Sequence, residues 1–318
     1  MSYVNKLKEL KAEGKTAYSI SRINSFNECK HGYNITYNQK DRGENNCYGI
    51  AGTAVHDWLE DIANNKIDSD ELPNLLQGLL LDLELQGAQF PSEKIKDNWV
   101  KDMTHFTEHF EKLDVNGLTE MLVLYDIEGH HIQGYIDFLL KDNEGNVVIL
   151  DWKTSSEFTG DKLRHAGRQL LIYKDAIEQT TNHKVDKVGW YMAKYCELEY
   201  NGRRKTSARR NLIKDNKSKI AKELQNFYND DMMVEMVLEQ SLKTNKIPDE
   251  IKEHFTIHPN IRYYDFTDAD IHEARQYMIS TIKDIEIEEE FKPKDGDMKK
   301  DFYCQFLCNH RKTCTYMK

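Results

Sequence analysis

Residues 130–155, HHIQGYIDFLLKDNEGNVVILDWKTS, decide the fold. Two runs rich in Ile, Leu, Val and Tyr flank Asp142-Asn143-Glu144-Gly145-Asn146, a pattern that predicts two antiparallel strands joined by a tight turn. A three-residue loop over 143–145 places Gly145 where a positive φ is needed, a conformation glycine adopts without steric cost. Position 142 then faces 146. The same register carried outward sets Asp137 opposite Asp151 on one face, with Lys153 two residues further on that face. Carboxylates at cross-strand distance in an apolar sheet repel each other and lose hydration, a conflict that a hard divalent cation resolves. Oxygen donors favour Mg²⁺ or Mn²⁺, the Trp152 carbonyl can add a ligand, and Lys153 can neutralise charge beside a reacting phosphate. This is chemistry for water attack on a phosphodiester. An ordinary surface hairpin with solvated acids fits the same spacing. A two-residue loop would turn Asp137 and Asp151 to opposite faces.

Upstream of the hairpin, GLTEMLVLYDI (117–127) reads as a third strand and 92–113 as a helix. Gly52 and Thr53 introduce AVHDWLEDIANN, whose Val55, Trp58, Leu59 and Ile62 form one buried helical stripe with His56 beside it. A polar, glycine-containing loop is expected at 41–49. Before it, YSISRINSFNECKHGYNITY (18–37) reads as a Ser-capped helix with Ile23, Phe26 and Tyr33 apolar and Cys29 in its body. Downstream come a helix near 161–180, a strand KVGWYMAKY (187–195) and a polar helical region to about 245. A short strand pair around HFTIHPNIRYYDF (254–266), a helix at 267–288, an acidic linker and a cysteine-bearing tail complete the chain. Strands alternating with helices predict a mixed α/β core.

The chain has 318 residues, 39% hydrophobic and 31% charged, which suits a globular protein rather than a disordered one. No stretch approaches a membrane span, and the N-terminus MSYVNKLKELKAEGK has no signal-peptide core, so a cytoplasmic protein is expected. A net charge of -10 argues against a generally basic, DNA-coating surface. The exception is RRKTSARRNLIKDNKSK (203–219), with eight Lys or Arg and one Asp. Such runs are commonly solvated faces, yet this one is the best candidate in the sequence for gripping a phosphate backbone.

Several segments together resemble the RecB-like PD-(D/E)XK nucleases, especially the iron-sulfur subgroup that includes AddB and the small CRISPR-associated exonucleases. They are GTAVH (52–56), GYID (134–137), ILDWKTS (149–155), RQLLIY (168–173) and cysteines near both ends, in the family's order. The resemblance implies a restriction-endonuclease-like fold, a mixed central sheet flanked by helices, with a helical iron-sulfur lobe built from both termini. It implies one nuclease unit over 1–318, with a catalytic core at 50–200, a cluster lobe from 18–40 and 290–318, and a basic helical insertion at 201–250. By the same resemblance His56, Asp137 and Asp151 are metal ligands, Lys153 orients or activates water, and Glu120 supports the site from the preceding strand. Gln169 and Tyr173 match a Gln-x-x-x-Tyr element bordering the active site, their i, i+4 spacing setting them on one helical face.

Cys304, Cys308 and Cys314 crowd the tail FYCQFLCNHRKTCTYMK, a spacing that suggests a shared metal. In the resembling family one upstream cysteine, here Cys29, joins three C-terminal ones around a 4Fe-4S cluster. The family usually has two residues in the first C-terminal gap, and this chain has three. A structural Zn²⁺ with Cys29 or His310 as fourth ligand is the alternative. Cys47 and Cys196 read as ordinary buried or semi-buried thiols.

The function expected is metal-dependent hydrolysis of DNA at ends or in single strands. It would serve recombination, repair or phage and CRISPR DNA processing, with a helicase, recombinase or CRISPR integration complex as a potential partner. A non-catalytic DNA-binding or complex-assembly scaffold, and a redox-sensing iron-sulfur protein, are the competing classes.

Overall fold

The computed structural model describes residues 3–113 and 117–317. Its N-terminal part runs α1 (Tyr3–Ala12), β1 (Ala17–Tyr18), α2 (Ile20–Glu28), α3 (Lys30–Tyr33), α4 (Cys47–Ala63), α5 (Leu72–Leu85) and α6 (Glu93–Glu108). Three strands follow, β2 (Gly117–Ile127), β3 (His130–Lys141) and β4 (Val147–Lys153), then α7 (Asp161–Thr180), β5 (Lys187–Tyr200) and β6 (Arg203–Ala208). The chain closes with α8 (Leu212–Asp215), α9 (Lys217–Tyr228), α10 (Asp231–Thr244), β7 (Phe255–Tyr263) and α11 (Asp268–Ile287).

All seven strands belong to one mixed sheet built around β3 and β5. β2 pairs along one edge of β3, while the other edge is shared by β1 at residues 131–132 and β4 at 138–141. β5 repeats this arrangement: β7 takes one edge, and β4 and β6 divide the other. The sheet is therefore continuous through β4 but forked on either side of it.

Alternating side chains feed two cores. Ile132, Ile136, Ile149, Val188 and Trp190 pack under α2, α7 and α11, whereas Phe138, Leu140, Val148, Leu150 and Trp152 pack under α4, α5 and α6. A third apolar cluster joins Cys196 and Leu198 of β5 to α8, α9 and α10, so residues beyond 195 carry their own small core. Among the described residues no helix is long and apolar enough to cross a membrane.

The hairpin turn follows the sequence reading: Asp142 N–H donates to the Asn146 carbonyl, and Gly145 has φ +85°. Other expectations are corrected. Cys29 is not in a helix body; its backbone is extended (φ -159°, ψ 107°), ending α2, and its sulfur accepts from the Gly32 amide at 3.4 Å to start α3. The helix carrying His56 begins at Cys47, because Asn46 Oδ1 accepts from the Tyr48 and Gly49 amides. Gly52 and Thr53 thus lie inside it. The strand pair expected at 254–266 is a single strand on β5, with Asn260 opposite a bulge of four β5 residues between Tyr191 and Cys196.

The basic run is also divided. Its first residues form β6, and Arg209 is fully buried, donating to the carbonyls of Tyr195 (3.1 Å) and His109 (3.4 Å) and pairing with Glu111 at 3.2 Å. Arg210 pairs with the buried Asp102. Two of the eight cations are therefore held by the core, where ordered carboxylates compete with any phosphate.

Candidate active site

The site begins where two strands part. The β3–β4 ladder keeps its register as far as Phe138↔Leu150, and one more step would bring Asp137 opposite Asp151. That step is not made. Ile136 lies in one core and Phe138, of the same parity, in the other, so the alternation of β3 reverses at Asp137. In place of a ladder bond the Asp137 carboxylate accepts from the Trp152 amide at 2.9 Å. The simple continued ladder expected from the sequence is thus corrected: a side chain bridges the fork.

The reversal has a counterpart on β2. Thr119 pairs with Phe138 and Met121 with Ile136, leaving Glu120 beside Asp137 without a ladder partner. Glu120 has φ +46°, a region that residues with a Cβ rarely adopt. Its strain coincides with the point where three carboxylates, Glu120, Asp137 and Asp151, come side by side across the strands.

Helix α4 supplies the imidazole. His56 Nδ1 lies 3.3 Å from Asp137 Oδ2, and its ring stands edge-on to Trp152 with centroids 6.0 Å apart. Burial favours the neutral ring, lowering its pKa against the pull of Asp151 and the Trp152 backbone. A neutral imidazole is the form that binds a metal. From the other layer, Gln169 Nε2 donates to Asp151 Oδ1 at 3.2 Å and to Tyr173 Oη at 3.0 Å. Gly134 makes this possible, since a Cβ there would fall 2.5 Å from the Tyr173 ring. Lys153 forms an ion pair with Asp151.

Electrostatically the cluster is out of balance. Burial, then the charge of Asp151, pushes the Asp137 carboxyl well above the usual range, and burial followed by Glu60 and Asp57 raises Glu120 as well. Burial opposes the charge on Lys153, but Asp151 and Asp137 outweigh it and raise its pKa. One cation faces three carboxylates. Asp151 Oδ2, although close to Lys153, makes no well-directed hydrogen bond. One donor atom each from His56, Glu120 and Asp137 lie within 4.8 Å of one another. That set of one nitrogen and two carboxylate oxygens, with Asp151 adjacent, suits Mg²⁺ or Mn²⁺.

The structure therefore gathers all seven residues singled out in the sequence: His56, Glu120, Asp137, Asp151, Lys153, Gln169 and Tyr173. It adds Asp57 and Glu60, whose charges reach Glu120. Glu60 is four residues from His56, a helical spacing that could have pointed to it.

The family model described as the PD-(D/E)XK nuclease superfamily matches residues 17–315. The chain belongs to that superfamily. No curated protein matches it. PD-(D/E)XK nucleases are typically hydrolases that use a divalent metal such as Mg²⁺ or Mn²⁺ and act on DNA, and the acidic donor set at the fork is where this member can hold one.

Proposed function

We propose that the protein is a metal-dependent DNA exonuclease that hydrolyses phosphodiester bonds at ends or in single strands, leaving a 5′ phosphate and a 3′ hydroxyl. The observation that carries this reading is the convergence of His56, Glu120 and Asp137 donors beside the Asp151–Lys153 pair. His56, Asp137, Asp151 and the Trp152 carbonyl would hold the metal, with Glu120 closing the donor set. When bound, the ion supplies charge stabilisation to the phosphoryl oxygens and acidifies water. The chain's own part is positional. Lys153, anchored on Asp151, holds water or neutralises the attacked phosphate, while Gln169 and Tyr173 fix the Asp151 carboxylate. Incubation with end-labelled single- and double-stranded DNA in Mn²⁺, Mg²⁺ or EDTA tests the reading. Stepwise shortening that EDTA abolishes is expected; no cleavage with either metal would overturn it.

The cysteines support a 4Fe-4S cluster joining the chain ends. Cys29 is within electrostatic reach of Cys304 and Cys308, and Cys314 of Cys308; all four are free thiols. The tail is strapped to the N-terminal region: Asn46 donates to the Leu307 carbonyl at 2.8 Å, Arg311 to the Glu44 carbonyl at 2.9 Å, and Lys294 pairs with Glu28 at 2.7 Å. The buried His310 Nδ1, which has no partner among the described residues, favours a zinc site as the second reading. Iron content and visible absorbance after anaerobic purification separate the two. Processing of DNA in recombination, repair, phage or CRISPR pathways, alongside a helicase, recombinase or integration complex, is the setting in which such an enzyme fits best.

A further inference from the structure

The sheet leaves an aromatic ring bare next to the catalytic fork. On β3, Ile132 and Ile136 point into the core beneath α7, and a Cβ on Gly134 would meet the Tyr173 ring of that helix. Tyr135, of opposite parity, therefore projects from the other face of the sheet. That is the face on which α4 packs and brings His56 to Asp137. The ladder partner of Tyr135 on β2 is Leu122, and only the Met121↔Ile136 pair separates these two residues from Glu120 and Asp137. Two residues of extended strand cover about 7 Å. The ring thus stands within the reach of one nucleotide from the metal donors.

Exposure sets Tyr135 apart from its neighbours. It is 51% exposed, whereas Leu124, on the same face of β2, is 2% exposed. Tyr135 makes no hydrogen bond, ion pair or ring contact among the described residues. Tyr263, a strand tyrosine of similar exposure, instead carries the Lys187 ammonium 5.7 Å from its ring centre. One edge of β3 is also open here, because among the described residues β1 pairs only as far as Ile132 and β4 begins at Phe138.

We propose that Tyr135 is a stacking platform for the base of the nucleotide next to the scissile phosphate, and that it selects an unpaired strand over a duplex. The proposal rests on the nuclease reading and narrows its substrate. An uncharged ring flanked by Leu122 offers a phosphate only a single hydroxyl, but it offers a base a whole π-face, without regard to sequence. Bases in a duplex are already stacked on one another. A base therefore reaches the ring only where its strand is single or its terminal pair has opened.

The test compares the unaltered protein, Tyr135→Ala and Tyr135→Phe on single-stranded oligonucleotides in Mg²⁺, each strand intact or with one abasic site stepped inward from either end. At one position the abasic site should raise KM on the order of tenfold, within what stacking one base supplies, and leave kcat unchanged. Tyr135→Ala should raise KM for the intact strand as much and lose nothing more on the abasic strand, since both changes remove the same contact. Tyr135→Phe keeps the ring and should match the unaltered protein. An abasic site without effect at every position, or losses that add to those of Tyr135→Ala, overturns the platform. Tyr135→Phe failing as badly as Tyr135→Ala overturns it too, because the hydroxyl would then be the contact. In each of these cases cleavage by the unaltered protein leaves the nuclease reading standing. If the unaltered protein cleaves nothing, that reading fails and the platform falls with it.

Discussion

Among the places where the protein buries charge, two are built on opposite plans. At the catalytic fork three carboxylates share one lysine; burial and then the charge of Asp151 push Asp137 toward protonation, and burial followed by Glu60 and Asp57 pushes Glu120 the same way. In the knot that ties α6 to the segment after β6, two guanidiniums meet two carboxylates. Arg209 is satisfied by Glu111 and two carbonyls, and Arg210 by Asp102, whose carboxylate also accepts from the Arg210 amide at 2.8 Å. Balanced buried charge carries its own counter-ions, whereas unbalanced buried charge calls for one from outside. The knot is therefore a fastening and the fork a socket.

The sharpest way to break that contrast is to substitute each cluster in turn. Asp151→Asn and Lys153→Ala should each reduce metal-dependent cleavage by at least about a thousandfold, the rate equivalent of roughly 4 kcal/mol of lost transition-state stabilisation. The fold should remain. Asp137→Asn should keep the acceptor for the Trp152 amide while removing a repelling charge, so the metal-free variant should melt no lower than the unaltered protein. A marked fall in its melting temperature would show that the fork is a structural ion network after all. Arg209→Met should act the other way round, destabilising the chain by about 3–5 kcal/mol in urea titration because Glu111 is stranded. A loss under 1 kcal/mol would remove the knot from the account.

Metal supplies the next test. Mg²⁺ or Mn²⁺ at a hundred times its dissociation constant should stabilise the folded protein by about 2.7 kcal/mol. Calorimetry should find this stabilisation abolished in Asp137→Asn and retained in any folded variant of the knot. Equal stabilisation in both would place the ion elsewhere.

What the sequence disclosed, and what it hid, follows the same division. The hairpin turn, the 161–180 helix and the closeness of Asp151 to Lys153 were legible because each rests on local chemistry: a glycine at positive φ, a helical period, a carboxylate two residues from a lysine; the parts given to His56, Glu120, Gln169 and Tyr173 came from the family resemblance. The reversal at Asp137 was not, because it depends on β2, β3 and β4 meeting at once, with Glu120 at φ +46° answering from a distant segment. Arg209 and Arg210 read as surface cations because their partners, Asp102 and Glu111, lie about a hundred residues away. Cys29 read as helical because its neighbours are, and only its sulfur-to-amide bond shows the break.

The smallest expected effect concerns pH and separates the two clusters most cleanly. His105 sits inside the knot, its Nδ1 3.4 Å from the Arg209 guanidinium, and burial followed by the charge of Arg209 drives its pKa from 6.5 down to about 3. Between those values the unfolded chain binds a proton that the folded one refuses. The resulting stability is complete above about pH 6.5 and is lost as pH falls toward 3. At 1.36 kcal/mol per unit the loss by pH 5 is about 2 kcal/mol. Gln at position 105 keeps an acceptor for Arg209 and cannot titrate, and every carboxylate contributes equally to both proteins. Urea midpoints at pH 7 and pH 5 should therefore fall further apart for the unaltered protein than for His105→Gln. If the two fall by the same amount, the knot does not hold its histidine neutral, and its charges are less balanced than two arginines against two carboxylates imply.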